Sequence, residues 1–426
     1  MILFYYRSEM MKFYIETYGC TANRSDESII KGILLSSGFK QVDDPRLADV
    51  SIILTCTVIG TTEQRMLNRI KSLYATSKDL IVSGCMASVQ ADLVKKVAPG
   101  AKLLPPDKID QIIRVLEGKP VEERRISKTS LPRCFDNIRA PISISEGCMF
   151  SCSYCITSKA RGKLVSYPIE EIVSVVKKAV KNGAKEIQLT SQDLASYGLD
   201  KGLKLHELVK RVSSVDGDFM IRLGMMNPLS VKNRLEEIIT LYRFDKVYKF
   251  LHLPVQSGDD YILKRMNRGY SSEDFKDIVY RFRAEYPEIT LSTDIIVGFP
   301  GEDDEAFQNT VDLIKEIEPD IVNITRFSPR PFTKAKHMDR KVPTDVAKER
   351  SRYLTNLCRE ISRKRNEMYV GKVCRALVTE KGKGNSIVAR TFNYKPVVLN
   401  EIVDLGRFVD VEIASAETTH LIGKLI

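Results

Sequence analysis

Three cysteines, Cys148, Cys152 and Cys155, stand at the spacing C-x3-C-x2-C in a loop that opens with Gly147 and follows the apolar run Ile142 to Ile144. Three thiolates can hold three irons of a [4Fe–4S] cube, and the fourth iron then has no protein ligand in the motif. An open metal position is where a substrate or cofactor can coordinate. The competing chemistries are a structural zinc knuckle or three unrelated core cysteines. Zinc asks for a fourth Cys or His nearby, and the loop holds none.

A second set is dispersed in sequence. Cys20, Cys56 and Cys85 each follow a stretch that reads as a strand, at Lys12 to Tyr18, Val50 to Leu54 and Leu80 to Ser83. Between the stretches lie helical patterns: one capped by Asn23 or Ser25 and stopped at Gly38, one near 62–75, then 88–97 and 107–117. Strands alternating with helices predict a parallel sheet covered on its faces. Ligands bind at the carboxyl edge of such a sheet, so the three cysteines are expected to meet in one crevice and to form a second three-thiolate site. The rival explanation is that cysteine is a common small buried residue. Cys134, Cys358 and Cys374 have no partner at ligand-like spacing and receive no role.

The elements that position the first loop repeat a strand–helix unit six times. The strands fall near 141–145, 184–190, 219–224, 247–253, 289–297 and 321–327, with helices starting near Pro168, Leu203, Ser230, Asp259 or Ser271, and Asp303. Six units predict an open (βα)6 partial barrel, whose active site belongs at the carboxyl ends of the strands. Polar residues gather there: Thr190-Ser191-Gln192-Asp193, Arg222, His252, Gln256-Ser257-Gly258, Thr293-Asp294 and Arg326. The run Gly298 to Glu302 reads first as a turn into a helix. A linker near 119–138 precedes this unit. Beyond it, residues 331–375 carry 13 Lys or Arg against 5 Asp or Glu. Much of that stretch is one helix, near 344–369, bearing Arg359, Arg363, Lys364 and Arg365. Five short strands then fill the tail, at 373–379, 386–390, 397–399, 408–414 and 420–425, which predicts a small barrel like the oligonucleotide-binding folds.

The 426 residues are too many for one core and carry a formal net charge of +11, which favours a polyanionic partner. No apolar run approaches the ~20 residues of a membrane span. Residues 1–10 read as a dispensable extension without a signal-peptide pattern, and a cytoplasmic protein is expected.

With both cysteine sets placed, the chain resembles the methylthiotransferase family along nearly its whole length. The resemblance rests on Glu16-Thr17-Tyr18-Gly19-Cys20, Thr55-Cys56-Thr57-Val58, Ser83-Gly84-Cys85 and the stretch Cys148 to Cys155. It rests further on Leu189 to Asp193, His252 to Gly258 and Asp294 to Glu302. It implies an α/β chain of three parts: an N-terminal three-layer α/β domain with a parallel sheet (11–125), a radical S-adenosylmethionine (SAM) partial barrel with its basic linking helix (134–367), and a small RNA-binding β-barrel, the TRAM domain (368–426). Two [4Fe–4S] clusters are implied. Cys148, Cys152 and Cys155 would hold the one that cleaves SAM to a 5′-deoxyadenosyl radical. Cys20, Cys56 and Cys85 would hold an auxiliary cluster that carries the sulfur, and a second SAM would methylate it. SAM contacts are expected from Tyr154, Ser191, Gln192, Asp193, Gln256, Ser257, Asp294 and Arg326. The implied partners are a tRNA substrate, an electron donor such as ferredoxin or flavodoxin, and a sulfur donor, with the chain acting as a monomer.

Arg222-Leu223-Gly224-Met225-Met226-Asn227-Pro228 looks like the archaeal and eukaryotic branch, which acts on N6-threonylcarbamoyladenosine beside the tRNA anticodon. Arg222 is then one candidate cation for the substrate carboxylate. Two departures are Ala389, where the family has Gly, and Asp259, where Ser is usual. Sister branches act on isopentenyladenosine in tRNA or on an aspartate of a ribosomal protein. A different class altogether is a non-catalytic RNA-binding iron–sulfur redox sensor, which would release no 5′-deoxyadenosine from SAM.

Overall fold

The computed structural model describes residues 10–57, 60–124, 126–135 and 138–426; residues 1–9 of the expected extension, and Val58 of the matched stretch, lie outside it. The N-terminal sheet is built on β1 (Lys12–Thr17), β2 (Lys40–Gln41), β3 (Val50–Thr55), β4 (Leu80–Gly84) and β5 (Lys102–Leu104), in the spatial order β2-β1-β3-β4-β5. Each pairing is parallel. Every residue of β3 is buried, as expected of a central strand covered on both faces. Alternation sorts its side chains. Ile52 and Leu54 join Ile29, Ile30 and Leu34 of α1 (Thr21–Ser36) on one face. Ile53 joins Met66 and Ile70 of α2 (Gly60–Thr76) on the other, with α3 (Cys85–Val89) and α4 (Ala91–Val97) continuing that layer.

The short edge strands β2 and β5 carry too few residues to show a period and were not expected. The helix expected over 107–117 divides into a 3-10 turn, Pro106–Gln111, and α5 (Ile112–Leu116). The linker is no loose tether, because it lies on α1 so closely that a Cβ at Gly32 would sit 2.5 Å from the Arg133 nitrogen.

The central unit starts with β6 (Arg139–Ser143). An antiparallel pair, β7 (Ser145–Glu146) and β8 (Val165–Ser166), then clamps the two ends of the cysteine loop, with α6 (Thr157–Arg161) inside it. The strands β6, β9 (Glu186–Thr190) and β10 (Met220–Leu223) form one parallel half, and β11 (Phe250–His252), β12 (Thr290–Val297) and β13 (Ile321–Arg326) form the other. A parallel bridge between Ile221 and Val247 joins them, so six strands follow in chain order and the barrel stays open between β6 and β13. The strand expected over 247–253 is regular only at Phe250–His252. Helices α7 (Ile169–Lys181), α8 (Leu205–Ser213), α9 (Pro228–Lys232), α10 (Leu235–Leu241), α11 (Asp260–Arg265), α12 (Ser272–Glu285) and α13 (Asp304–Ile317) cover the outside. Ile187 and Leu189 of β9 enter the core they share with these helices. Gln188, between them, faces the lumen cavity.

Helix α14 (Thr344–Glu367) straps the barrel beside β13. Its approach is close: a Cβ at Gly298 would lie 2.7 Å from the Ala347 Cβ. The tail closes into a barrel of β14 (Val373–Lys381), β15 (Ile387–Thr391), β16 (Pro396–Leu399), β17 (Phe408–Ala416) and β18 (Leu421–Leu425). It packs directly on the central unit. Leu377, Phe392, Tyr394 and Phe408 pack against Met220, Tyr248 and Phe250 at the floor of the central barrel. The buried Lys395 ammonium also reaches Asp320 at 2.7 Å and Asn366 at 2.8 Å.

Candidate active site

Cys20, Cys56 and Cys85 follow β1, β3 and β4, which are neighbours in the sheet. Strand order reverses between β1 and β3, and that switch point is where parallel sheets open a crevice. A Cβ at Gly19 would lie 2.9 Å from the Cys56 Cβ. Asn23, on the first turn of α1, fastens the two strand ends by donating to the carbonyls of Tyr18 (2.7 Å) and Thr55 (3.0 Å). Gly84 has φ +80°, and a side chain there would meet the Thr55 carbonyl oxygen at 2.4 Å, so only glycine lets β4 deliver Cys85 to the same point. Burial pushes the Cys85 thiol up to about 11; the Arg161 guanidinium opposes the shift, and Cys20 and Cys56 add to it. The three sulfurs therefore share one site.

The second triad lies in the loop clamped by β7 and β8. Gly147 (φ +81°) brings this loop so near the return strand that a Cβ would sit 2.1 Å from the Lys163 carbonyl oxygen. Burial pushes Cys148 up to about 12, with Asp193, Cys155 and Cys152 adding to the shift. Two donors already face these sulfurs: the Phe150 N–H reaches Cys148 Sγ at 3.4 Å, and Arg268 Nη1 reaches Cys152 Sγ at 3.4 Å. All six cysteines are free of disulfides. Among the described residues no group of three or more His, Cys, Asp and Glu side chains is arranged to hold a single metal ion. A cube takes one thiolate per iron, and so needs three sulfurs around a body wider than one ion. The donor sets fit that group.

The remaining candidate residues lie in this loop or on and just after the strands of the central barrel. Ser191 Oγ is buried without a partner among the described residues. Gln256 takes φ +76°, outside the range a side-chain-bearing residue favours, while its backbone stays bonded to β12; strain of this kind is found where a ligand must be met. Asp294 Oδ1 accepts from Asn323 at 2.8 Å and meets His252 Nε2 at 3.1 Å. Burial alone would raise its carboxyl, but these partners outweigh it and hold the group below its usual range. Tyr154 lies edge-on to Phe299 at 6.3 Å, and Arg326 is exposed at the end of β13. Three others are engaged in holding the frame. Gln192 Oε1 accepts the Gly147 N–H at 2.7 Å. Asp193 takes the Asn227 N–H at 2.8 Å and the hydroxyls of Ser230 and Ser196. Ser257 Oγ accepts the Asp259 N–H at 3.2 Å.

Comparison with known proteins completes the description. Residues 12–104 match the Uncharacterized protein family UPF0004, 142–314 the Radical SAM superfamily, and 367–426 the TRAM domain. A "Probable threonylcarbamoyladenosine tRNA methylthiotransferase" from Pyrococcus horikoshii is 42% identical, covering 98% of this chain and 100% of its own. The chain belongs to the threonylcarbamoyladenosine tRNA methylthiotransferases. The Homo sapiens member is 35% identical over 95% of this chain and 72% of its own. Among solved structures, the radical SAM methyltransferase TsrM from Kitasatospora setae shares the fold with a TM-score of 0.57, at 14% identity over 77% of each chain.

Three features of this methylthiotransferase were not read from its sequence. A cavity of about 990 Å³ is lined by α1, the central barrel and the tail barrel, including Arg24, Gln188, Arg222 and Tyr394. Arg222 is brought to its wall, where it makes no ion pair among the described residues; its guanidinium lies 5.3 Å from the ring centres of both Phe250 and Tyr394. Arg268, the donor to Cys152, is more than a hundred residues from it in sequence. Lys128, Arg161, Asp26 and Glu146 form a buried ionic cluster between the triads.

Proposed function

We propose that this chain transfers a methylthio group to C2 of the N6-threonylcarbamoyladenosine beside the tRNA anticodon. The observation that carries the reading is the full-length likeness to proteins of that name, at 42% identity with a complete relative. Cys148, Cys152 and Cys155 hold one [4Fe–4S] cluster and Cys20, Cys56 and Cys85 the other; the units 11–125, 134–367 and 368–426 carry the auxiliary cluster, the radical core and RNA binding. When bound, the clusters and SAM supply the radical, the sulfur and the methyl group that attack on an aromatic C–H requires, since no side-chain base ionises that carbon.

The residues around them bind and orient. Ser191 Oγ, buried and unpartnered among the described residues, and the Gln256 side chain on its strained backbone are placed to meet SAM. His252 and Asn323 keep Asp294 ionised through Oδ1, so Oδ2 remains to accept from the same ligand. Tyr154 and Arg326 complete the SAM contacts, with Gln192, Asp193 and Ser257 supporting them through the loop bonds described. Arg268 holds the Cys152 sulfur in place by an N–H···S bond. The tail barrel and exposed cations meet tRNA phosphates. Ferredoxin or flavodoxin delivers electrons, a separate donor restores the sulfur, and the chain works as a monomer in the cytoplasm. Among the described residues no helix is long and apolar enough to cross a membrane. The test is mass spectrometry of tRNA nucleosides from cells with and without the gene: loss of 2-methylthio-N6-threonylcarbamoyladenosine, with its precursor accumulating, is expected, and an unchanged nucleoside profile would refute the reading.

A further inference from the structure

Four charged side chains, two of each sign, are buried where the two cysteine regions meet: Asp26, Lys128, Glu146 and Arg161, exposed by 1%, 4%, 7% and 2%. They come from different parts of the chain. Asp26 is on α1, which starts beside Cys20, and Lys128 is in the linker. Glu146 ends β7, two residues before Cys148, and Arg161 ends α6, six after Cys155. Lys128 Nζ reaches Asp26 at 2.7 Å and Glu146 at 2.8 Å. Arg161 Nη1 reaches Glu146 at 2.9 Å, and its Nη2 reaches Asp26 at 2.9 Å and Asn23 Oδ1 at 2.7 Å.

Asn23 is also the residue that fastens the strand ends before Cys20 and Cys56. Helix α3, which begins at Cys85, packs on α6 beside it. The guanidinium is therefore bonded at once to the lead-in of one triad and to the fastener of the other. One of its N–H groups, Nε, is buried without a partner among the described residues, while the guanidinium lies within the electrostatic reach of Cys85 and Cys20.

Physics argues against a purely stabilising role. Burying two ion pairs costs more desolvation than an apolar packing of the same volume would, whereas removing one partner is strongly destabilising. What the arrangement supplies is a unique geometry, because Arg161 offers a planar fork whose bonds fix direction as well as distance. A second tie, on the far side of the barrel mouth, has the same character: Arg330 Nη1 bonds the Thr57 carbonyl at 3.3 Å, next to Cys56, and Glu63 at 3.0 Å.

We infer that Arg161 is a positioning residue that locks the two thiol triads in one register, so that radical formation at the first and sulfur transfer at the second stay coupled. The inference rests on the methylthiotransferase reading, and the test separates the two. Full-length protein is reconstituted anaerobically as the parent, Arg161→Met and Arg161→Lys. Iron content, the spin relaxation of one reduced cluster by the other without tRNA, and methylthiolated product per 5′-deoxyadenosine released are measured. Arg161→Met is expected to keep the iron of both clusters, to change the inter-cluster relaxation, and to lower product per 5′-deoxyadenosine at least tenfold. Arg161→Lys should restore part of both. Should the methionine variant not accumulate, Glu146→Gln, which keeps the shape and removes one charge, is expected to show the same pair of changes. Unchanged relaxation and unchanged product ratio, in Arg161→Met or in its substitute, would overturn the inference. A parent that makes no product on the threonylcarbamoylated tRNA would instead overturn the functional reading, and the relaxation measurement would still decide the coupling.

Discussion

At the scale of the residue, the site depends on cysteines delivered by glycines. The six thiols and the glycine before three of them are plain in the sequence, because thiolate chemistry limits which residues can serve and a tight Gly-Cys turn limits which can precede. Arg268 and Arg161 are not plain, since their partners are set by the fold and an isolated Arg reads as surface; Asn23, expected as a helix cap, lies inside α1 and fastens two strand ends instead. Replacing Cys148, Cys152 and Cys155 by Ala should leave about half of the roughly eight irons that two cubes contain and abolish SAM cleavage. The same change at Cys20, Cys56 and Cys85 should leave SAM cleavage and abolish sulfur attachment; product formation at the parent rate would remove these three from the auxiliary site. Gly84→Ala tests delivery rather than ligation. Its Cβ would collide with the Thr55 carbonyl oxygen at 2.4 Å, so auxiliary iron should fall while the Cys148–Cys155 cluster stays filled, as read by iron analysis and the spectrum of each cluster.

At the scale of the element, charge that looks free in sequence turns out to be spent. Lys364 pairs with Glu318 at 2.6 Å, Arg365 with Asp320 at 3.2 Å and Arg350 with Glu302 at 2.8 Å, so α14 is first a strap. Arg352 and Arg359 are exposed and have no ion-pair partner among the described residues. Changing both to Gln should weaken tRNA binding and reduce its salt slope by about 1.4 to 1.8, the value for two lost phosphate contacts; an unchanged slope would take α14 out of the RNA surface. Deleting 368–426 is a poor test of RNA binding, because it uncovers Met220, Tyr248 and Phe250 and strips Lys395 from Asp320; the truncated chain should melt earlier than the parent. Burial alone would raise the Asp320 carboxyl, but Lys395 and Arg365 outweigh it and hold it below its usual range. A carboxyl depressed in the fold stabilises above its unfolded pKa, near ~3.9, and that contribution fades as pH falls through the folded value. Lys395→Met should therefore cost about 3 kcal/mol near neutrality and progressively less on acidification below about pH 4, as measured by denaturant unfolding across pH.

At the scale of the molecule, the order of the parts follows from alternating strands and helices, and the convergence of Cys20, Cys56 and Cys85 follows from their shared place after neighbouring strands. What sequence left hidden is how the parts meet. The tail barrel plugs the floor of the central barrel, the linker is pressed onto α1, and one cavity is lined by three units, because such contacts join residues hundreds apart and leave no local period. That enclosure matters for substrate choice. A threonylcarbamoyl group brings a carboxylate, a hydroxyl and a urea-like linker, whereas an isopentenyl group is a hydrocarbon. A polar site left without its partners rejects the wrong adenosine strongly. The most direct test sets the reconstituted protein, with SAM and a reductant, against three tRNAs that carry threonylcarbamoyladenosine, isopentenyladenosine or unmodified adenosine at the same position, with products read by mass. Methylthiolation of the first, with little or none of the others, is the result predicted here; turnover of the isopentenylated tRNA at a comparable rate would contradict it.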